Sequence, residues 1–356
     1  MKDSLATPTR RSSTKGTRTI GVILIVAVLL TVAAGAVGAM VVVRTAAEAE
    51  TARKAEALAE TLPDTVNLAV NLSFERDAML AGVPPVVLRP MVQTTDESAQ
   101  AWLARVQGIE SGGEHLDATV SRIEDGLAGI DDLRTQARTD PASVAERYTA
   151  LSNDLFSIAD DVPSTGEGET ASSIEAIRHM PEIWESLGQE RTTMNAVLAR
   201  SPLPGDKQAG DKEIAALTEA EANLRRSLAG FYEKSSTAQR RALDELTNGT
   251  AVEGATGVPA QQAVNEIIAG DGSDLTPDSY AASSTDLMRG LQAVVTASAE
   301  EIVEDRRAVR DDALRGAMVA FVLTVVVLGV LAVLVLVLAV LLVVLRSSAA
   351  ARGARG

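Results

Sequence analysis

The sequence predicts an all-α protein in which a helical domain lies between two transmembrane helices. Aromatic residues make up only 3% of the chain, whereas Ala, Val, Leu, Glu and Arg are abundant. This composition favours helices over strands, which are enriched in aromatic residues. Two long apolar runs lie near the ends of the chain, and apolar residues recur at helical spacing between them.

Residues 20–43 and 317–345 are the two apolar runs, and neither contains a charge. Each is longer than the roughly 20 residues that cross a bilayer core of about 30 Å, and the second is long enough to tilt. The first run could instead be a signal peptide, because residues 34–36 are small enough for cleavage. Its continuation beyond that point and the Arg44 that closes it favour a membrane anchor.

The distribution of charge predicts the side of the membrane on which each segment lies. Basic residues dominate residues 1–19 and 346–356, so both ends are expected in the cytoplasm, with 1–19 disordered at the membrane surface. All acidic residues except Asp3 lie in residues 44–316, and the chain carries a net charge of −15. We therefore expect residues 44–316 to form an acidic extracytoplasmic domain that does not bind nucleic acid.

Small residues recur at four-residue spacing in the first apolar run. Ala34 and Gly38 form one such pair, and Gly35 and Ala39 form the other. This spacing lets membrane helices approach closely. It fits a homodimer contact or a contact with the second span, although glycine and alanine are frequent in membrane helices in any case.

Proline and glycine divide the first half of the domain into helices. The helix leaving the first span is expected to continue as far as Pro63, which interrupts it. A second helix covers residues 64–81 and ends at the Gly-Val-Pro-Pro of residues 82–85. A third is expected over residues 94–110, because Thr, Thr, Asp and Glu form a cap cluster at its start.

Two more helices complete this half. Residues 115–137 form one helix, whose buried stripe is expected to consist of Leu116, Val120, Ile123, Leu127 and Ile130. Asp140 is the N-cap of the next helix, with Pro141 at its first position. Residues 163–168 are expected to form the loop between the two halves.

The second half begins with a helix over residues 171–199, which Pro181 should kink or split. Residues 201–205 break the chain again. A long helix is expected over residues 211–246, with its inward side chains at Leu217, Leu224, Leu228, Phe231 and Tyr232.

The last helices lead back to the membrane. A loop is expected at residues 248–258 and a short helix at 259–268. Thr276 and Pro277 begin the final helix, whose inward residues are predicted to be Leu287, Leu291, Val294, Ile302 and Val309. We expect this helix to continue unbroken into the second span, which would couple the outer domain to the cytoplasmic end.

A charged step on an apolar helix stripe occurs once in each half. Glu75-Arg76 follows Leu68 and Leu72 and precedes Met79, and Glu190-Arg191 stands in the same way among Ile183, Leu187 and Met194. The two segments indicate a duplicated helical unit, or a chance match. An inward charge is costly unless it is paired or binds a ligand.

The sequence contains no recognisable catalytic constellation, so we expect neither an enzyme nor a cofactor. With no cysteine it has neither disulfides nor thiolate metal ligands, and His115 and His179 are interpreted as surface or satisfied residues. Arginine suits flat oxyanions, because its donors form a rigid fork that stays charged. Inward arginines could therefore bind a small anion such as nitrate, or they could balance neighbouring acidic residues on solvated faces. The candidate residues are Glu75, Arg76, Glu190, Arg191, Arg225 and Arg226.

Residues 60–312 resemble the nitrate- and nitrite-sensing (NIT) domain of actinobacterial membrane receptors. The resemblance rests on the Leu-x-x-Glu-Arg of residues 72–76, on the Leu-Gly-Gln-Glu-Arg of residues 187–191 and on the run 217–231. It implies two four-helix bundles with the anion held between them by arginines, here Arg76 and Arg191. Many members have glycine next, whereas this chain has Asp77 and Thr192.

Members of this family commonly continue into a histidine-kinase-like module. This sequence has only residues 346–356 after the second span. It is therefore interpreted as a fragment of such a receptor, or as a sensor that acts through a kinase-like cytoplasmic partner. The alternative is a helical adaptor protein that docks another envelope protein.

Overall fold

Helices make up 89% of the residues that the structure describes, and these residues contain no strand. The computed structural model describes residues 13–109, 113–163, 169–200, 209–247 and 258–353. The predicted all-α class is confirmed. The described helices are α1 (Ser13–Ala59), α2 (Leu62–Leu80), α3 (Pro85–Val106), α4 (Glu114–Ala128), α5 (Ile130–Gln136), α6 (Pro141–Asp161), α7 (Glu169–Ile177), α8 (Met180–Leu198), α9 (Asp211–Lys234), α10 (Thr237–Thr247), α11 (Val258–Ala269) and α12 (Pro277–Gly353).

The chain divides into two units, of which one contains Met1–Ala52 and Val309–Gly356. Its described helical segments are long and apolar enough to cross a membrane, and most of their apolar side chains are exposed. Of the small residues in the first run, Gly35 and Gly38 lie against Leu328 and Thr324 of the second run within this chain. A Cβ atom on Gly38 would lie 2.5 Å from Thr324 Cγ2, so only glycine permits this approach.

The other unit, Arg53–Ala308, contains the helical domain. In its first half α2 packs against α3 and α6, and α4 packs against α6. In its second half α9 packs against α7, α8 and α11. The two halves meet where α8 contacts α2 and α6, and a continuous apolar core extends from one half to the other.

Several helix boundaries lie where the sequence predicts them. Pro63 stands in the first turn of α2, and Pro181 stands in the first turn of α8, so the predicted helix is split just before it. The Asp140 side chain accepts a hydrogen bond from the Ser143 amide at 3.2 Å and caps α6. At the start of α12 the Ser279 amide donates to the Thr276 hydroxyl.

Three of the predicted helices are wrong in extent. Helix α3 begins at Pro85 rather than residue 94, because a proline fits the first helical position and Pro90 is accommodated inside the helix. The helix expected over residues 115–137 ends at Ala128, and Gly129 separates it from α5. The helix expected over residues 211–246 divides at residues 235–236 into α9 and α10.

Most of the predicted inward residues are buried. The exceptions are Val120 and Leu228, which are half-buried, and Tyr232 and Val309, which are each 40% exposed. The predictions for residues 1–12, 164–168, 201–205 and 248–257 lie outside the described residues.

Candidate functional site

The two Glu-Arg steps lie on α2 and α8, which pack against each other where the two halves meet. Arg76 is buried, and its guanidinium is fully engaged. Its Nη1 atom donates to Glu185 Oε2 and to Thr149 Oγ1, both at 2.7 Å, and its Nε atom donates to Asp77 Oδ1 at 3.0 Å. Burial opposes the charge, but Asp77 and Glu185 outweigh it and raise the pKa of Arg76.

Asp77 lies between the two arginines that the motif predicts. Its Oδ1 atom accepts a hydrogen bond from Arg76 Nε. Its Oδ2 atom lies 3.6 Å from Arg191 Nη1, beyond hydrogen-bonding distance. Within the described residues Oδ2 accepts no hydrogen bond. One carboxylate therefore stands between the guanidinium groups of Arg76 and Arg191.

Arg191 is half-buried, with 13% of its side chain exposed, and its ion pair with Asp77 is long, at 3.6 Å. Nη1 donates to Met288 Sδ at 3.1 Å, and Nη2 donates to Thr285 Oγ1 at 3.4 Å, both on α12. The guanidinium carbon lies 5.6 Å from the centre of the Phe74 ring, and Nε has no acceptor in the described part of the chain. Thioether, hydroxyl and ring are weak partners for a cation removed from water.

A cavity of about 310 Å³ opens beside Arg191. The exposed Arg289 also lines it and makes no ion pair with any described residue. The remaining wall combines apolar and neutral polar groups: Asn71, Phe74, Met91, Thr94, Thr285 and Gln292. Two arginines and no acidic residue make this cavity suitable for a small anion.

Glu75 is engaged inside the first half and does not reach that cavity. Arg134 donates to its two oxygens at 2.7 and 3.0 Å, and the Tyr148 hydroxyl donates to Oε1 at 2.7 Å. Burial opposes the charge of Arg134, but its hydrogen bonds to Glu75 and other carboxylates raise its pKa. Burial and the Glu75 charge raise the pKa of Tyr148.

Glu190 occupies the matching position in the second half with different neighbours. Gln261 donates to Oε2 at 2.9 Å, whereas Oε1 has no donor among the described residues. Burial, together with the nearby Glu221 carboxylate, raises the pKa of Glu190 to about 8, although the bond from Gln261 works in the opposite direction. Glu221 is itself paired with Arg225.

Arg225 and Arg226, which the sequence adds as candidates, lie apart from the cavity beside Arg191. Arg225 bonds Glu221 and Asn265, and Arg226 bonds Asn223 at 3.3 Å. Arg226 lines a different cavity of about 560 Å³, which also exposes Glu182 and Glu185. The structure thus brings Arg76, Asp77 and Arg191 together and leaves this arginine pair outside the group.

Comparison with known protein families identifies the family of this chain. The family described as nitrate and nitrite sensing, NIT, matches residues 67–303, which is more than half of the chain. The chain belongs to the NIT family. Both Glu-Arg steps and the Arg191 cavity fall inside the matched NIT segment.

A solved structure shares the NIT fold. The structure of the NasR transcription antiterminator superposes with a TM-score of 0.56 at 14% sequence identity, over 79% of this chain and 80% of that one. Comparison with curated proteins finds no match.

Several residues of this NIT domain site escape prediction from the sequence. Arg134, Tyr148 and Glu185 bind the motif side chains but are distant from them in the sequence, and no local pattern marks them. Arg289 is likewise missed, because it follows Met288 and does not repeat the Glu-Arg step. Of the two departures after the motif arginines, the Thr192 hydroxyl bonds the Gly188 carbonyl, whereas Asp77 lies in the site.

Proposed function

We propose that this chain is a membrane receptor whose helical domain binds nitrate or nitrite in the cavity beside Arg191. The family supports the ligand class, and the arrangement of charges supports the place. Arg191 and Arg289 supply donors from α8 and α12, while Thr285, Asn71 and Gln292 add neutral polar groups. The candidate Arg76 has a supporting role, because its donors are already occupied by Asp77, Glu185 and Thr149.

The observation that carries this proposal is the unsatisfied guanidinium of Arg191. Its side chain is only 13% exposed, its Nε atom has no acceptor in the described residues, and its nearest carboxylate oxygen, Asp77 Oδ2, is 3.6 Å away. Removing a cation from water costs several kcal/mol, and the long ion pair with Asp77 offsets only part of this cost. A flat oxyanion offers two or three oxygens to the arginine fork and would remove that cost.

Signal output is proposed to pass through α12. This helix carries Thr285, Met288 and Arg289 at the cavity, and the same helix includes the apolar residues 317–345. An anion that binds one packing of α8 and α12 better than another shifts the equilibrium between them. We infer that residues 44–316 lie outside the cytoplasm, that the receptor is a homodimer and that a kinase-like module or partner receives the signal.

Calorimetry on the full chain in lipid nanodiscs tests the ligand. Titration with sodium nitrate is expected to give saturable heat, and Arg191→Gln should weaken binding by at least about tenfold, since a charge-assisted hydrogen bond is worth roughly 1.5–3 kcal/mol. Arg191→Lys keeps the charge but not the fork, so it should also bind less tightly.

Arg122→Gln is the matched control for this experiment. Arg122 is exposed and pairs with Asp154 on α6, away from the Arg191 cavity. Its loss should leave nitrate affinity unchanged. Absence of nitrate and nitrite heat in the folded wild-type chain, or equal affinity in Arg191→Gln, contradicts the proposed function.

A further inference from the structure

We propose that the Asp77 carboxylate is a built-in competitor of the anion, because its charge already lies beside Arg191 and lowers the affinity of Arg191 for a second anion. This inference rests on the proposed function and names the residue that sets the affinity of the site. The Asp77 carboxylate is planar, carries a single negative charge and has two oxygens. It therefore resembles nitrite, and it presents two of the three oxygens that nitrate would present. Its Oδ1 atom lies 3.0 Å from Arg76 Nη2 on α2, and its Oδ2 atom lies 3.6 Å from Arg191 Nη1 on α8.

The geometry of Asp77 is that of a group shared unequally between two cations. Arg76 holds Oδ1 through Nε and Nη2, each at 3.0 Å. The second oxygen, Oδ2, is buried, accepts no hydrogen bond in the described chain and lies 3.6 Å from Arg191 Nη1. Asp77 thus partly balances the charge of Arg191 without accepting a hydrogen bond from it, and Nε has no acceptor in the described chain.

Gly188 shows that the protein makes room for this arrangement. A Cβ atom at position 188 would overlap Arg76 Nη2 and would lie 3.3 Å from Asp77 Oδ1. The backbone of α8 therefore approaches the Arg76–Asp77 pair closely, and the motif glycine is what allows it. The carboxylate is a packed component of the site and not a surface group that swings through it.

Competition by a tethered group reduces affinity in a predictable way. The apparent dissociation constant equals the intrinsic one divided by the fraction of molecules in which Arg191 is available. Because the Asp77–Arg191 separation exceeds a hydrogen bond, the competition is moderate. Removing the charge should tighten nitrate binding by about tenfold, which corresponds to availability of roughly one-tenth in the wild-type chain.

Calorimetric titration of the full chain in nanodiscs with sodium nitrate compares wild type, Asp77→Asn and Asp154→Asn. Asp77→Asn keeps the shape and removes the charge, so we expect about tenfold tighter binding. Asp154→Asn makes the same chemical change at a carboxylate that pairs with Arg122 and does not line the Arg191 cavity. It should change the affinity by less than about threefold, which separates local competition at Arg191 from a general loss of negative charge.

The outcomes separate this inference from the proposed function. If wild type binds nitrate and Asp77→Asn binds equally or more weakly, Asp77 is no competitor while the anion site stands. Equal gains in Asp77→Asn and Asp154→Asn also overturn it. If no folded variant binds nitrate, the proposed function fails. Should melting show that Asp77→Asn is unfolded, Asp77→Ser provides the same comparison.

Discussion

The two copies of the Glu-Arg step place their glutamates in contrasting surroundings. Glu75 accepts hydrogen bonds from Arg134 and Tyr148, and the charge of Arg134 balances its own. Glu190 receives one amide hydrogen bond from Gln261 and faces the Glu221 carboxylate, so burial and the like charge raise its pKa to about 8. A repeated sequence motif therefore supports a fixed ion pair in one half and a titrating carboxyl group in the other.

Glu190 predicts a pH dependence of stability. Its pKa is about 8 in the folded chain, compared with the ordinary value of 4.5, so the folded state binds the extra proton between these values. The free energy of unfolding should fall as pH rises from about 4.5 to 8, by at most about 1.4 kcal/mol per pH unit, and level off above that. Denaturant unfolding followed by circular dichroism from pH 5 to 9 measures this slope, which Glu190→Gln should flatten.

Glu97→Gln is the control for that titration. Glu97 is exposed on α3 and accepts a bond from Gln93 within the same helix. The substitution makes the same chemical change at a solvated position and should keep the wild-type slope. Parallel slopes in wild type and Glu190→Gln would show that Glu190 is ionised in the folded chain at neutral pH.

At the level of helices, the break between α9 and α10 is built from side chains. The Gln239 amide donates to Ser236 Oγ at 3.2 Å, and the Ser236 amide donates to Gln239 Oε1 at 2.8 Å. This reciprocal pair is a capping box that starts α10. Gln239 Nε2 also donates to Ser173 Oγ at 2.8 Å, which ties α10 to α7.

Removing the cap should destabilise the domain measurably. Ser236→Ala loses the acceptor for the Gln239 amide, and a lost N-cap costs about 1 kcal/mol. Thr135→Ala is the comparison, because the exposed Thr135 bonds only the Asp131 carbonyl within α5. It should stay within about 0.5 kcal/mol of wild type. Equal denaturation midpoints for wild type and Ser236→Ala would exclude a stabilising cap.

These helices show what local sequence reveals and what it does not. Pro63, Pro141 and Pro277 mark helix starts correctly, because a proline in the first turn has no lost amide bond. The same rule applies at Pro85, but the later Thr-Thr-Asp-Glu cluster resembles a cap. Inside α3 those threonine hydroxyls bond carbonyls four residues back, as in a helix interior.

The break at Ser236 was readable as a Ser-x-x-Gln capping box, but the surrounding apolar spacing continues through it and favours one long helix. The residues of the site likewise fall into those that local spacing predicts and those that it does not. The repeated spacing predicts Arg76 and Arg191, whereas Glu185, Arg134 and Arg289 depend on how helices pack and carry no local signal. Helix starts are local properties, and the partners of a buried charge are not.

For the whole molecule, the NIT fold and the two apolar helical segments together favour a receptor. The family match covers residues 67–303, and the apolar runs lie on either side of it. Helix α12 contains both cavity residues and the second apolar run, so a small change at the cavity has a direct covalent route along one helix. The orientation of the chain in the membrane is the prediction that decides where the ligand comes from.

The absence of cysteine from the sequence makes that orientation directly measurable. A single cysteine can be introduced at Gln100, which is exposed on α3, or at Ser347, which is exposed after the second apolar run. No native cysteine would then contribute background labelling. A membrane-impermeant maleimide should label Gln100→Cys in intact cells, and Ser347→Cys only after permeabilisation, because basic flanks favour the cytoplasm. The reverse pattern would place the helical domain in the cytoplasm, where it would sense the intracellular anion pool instead of the external one.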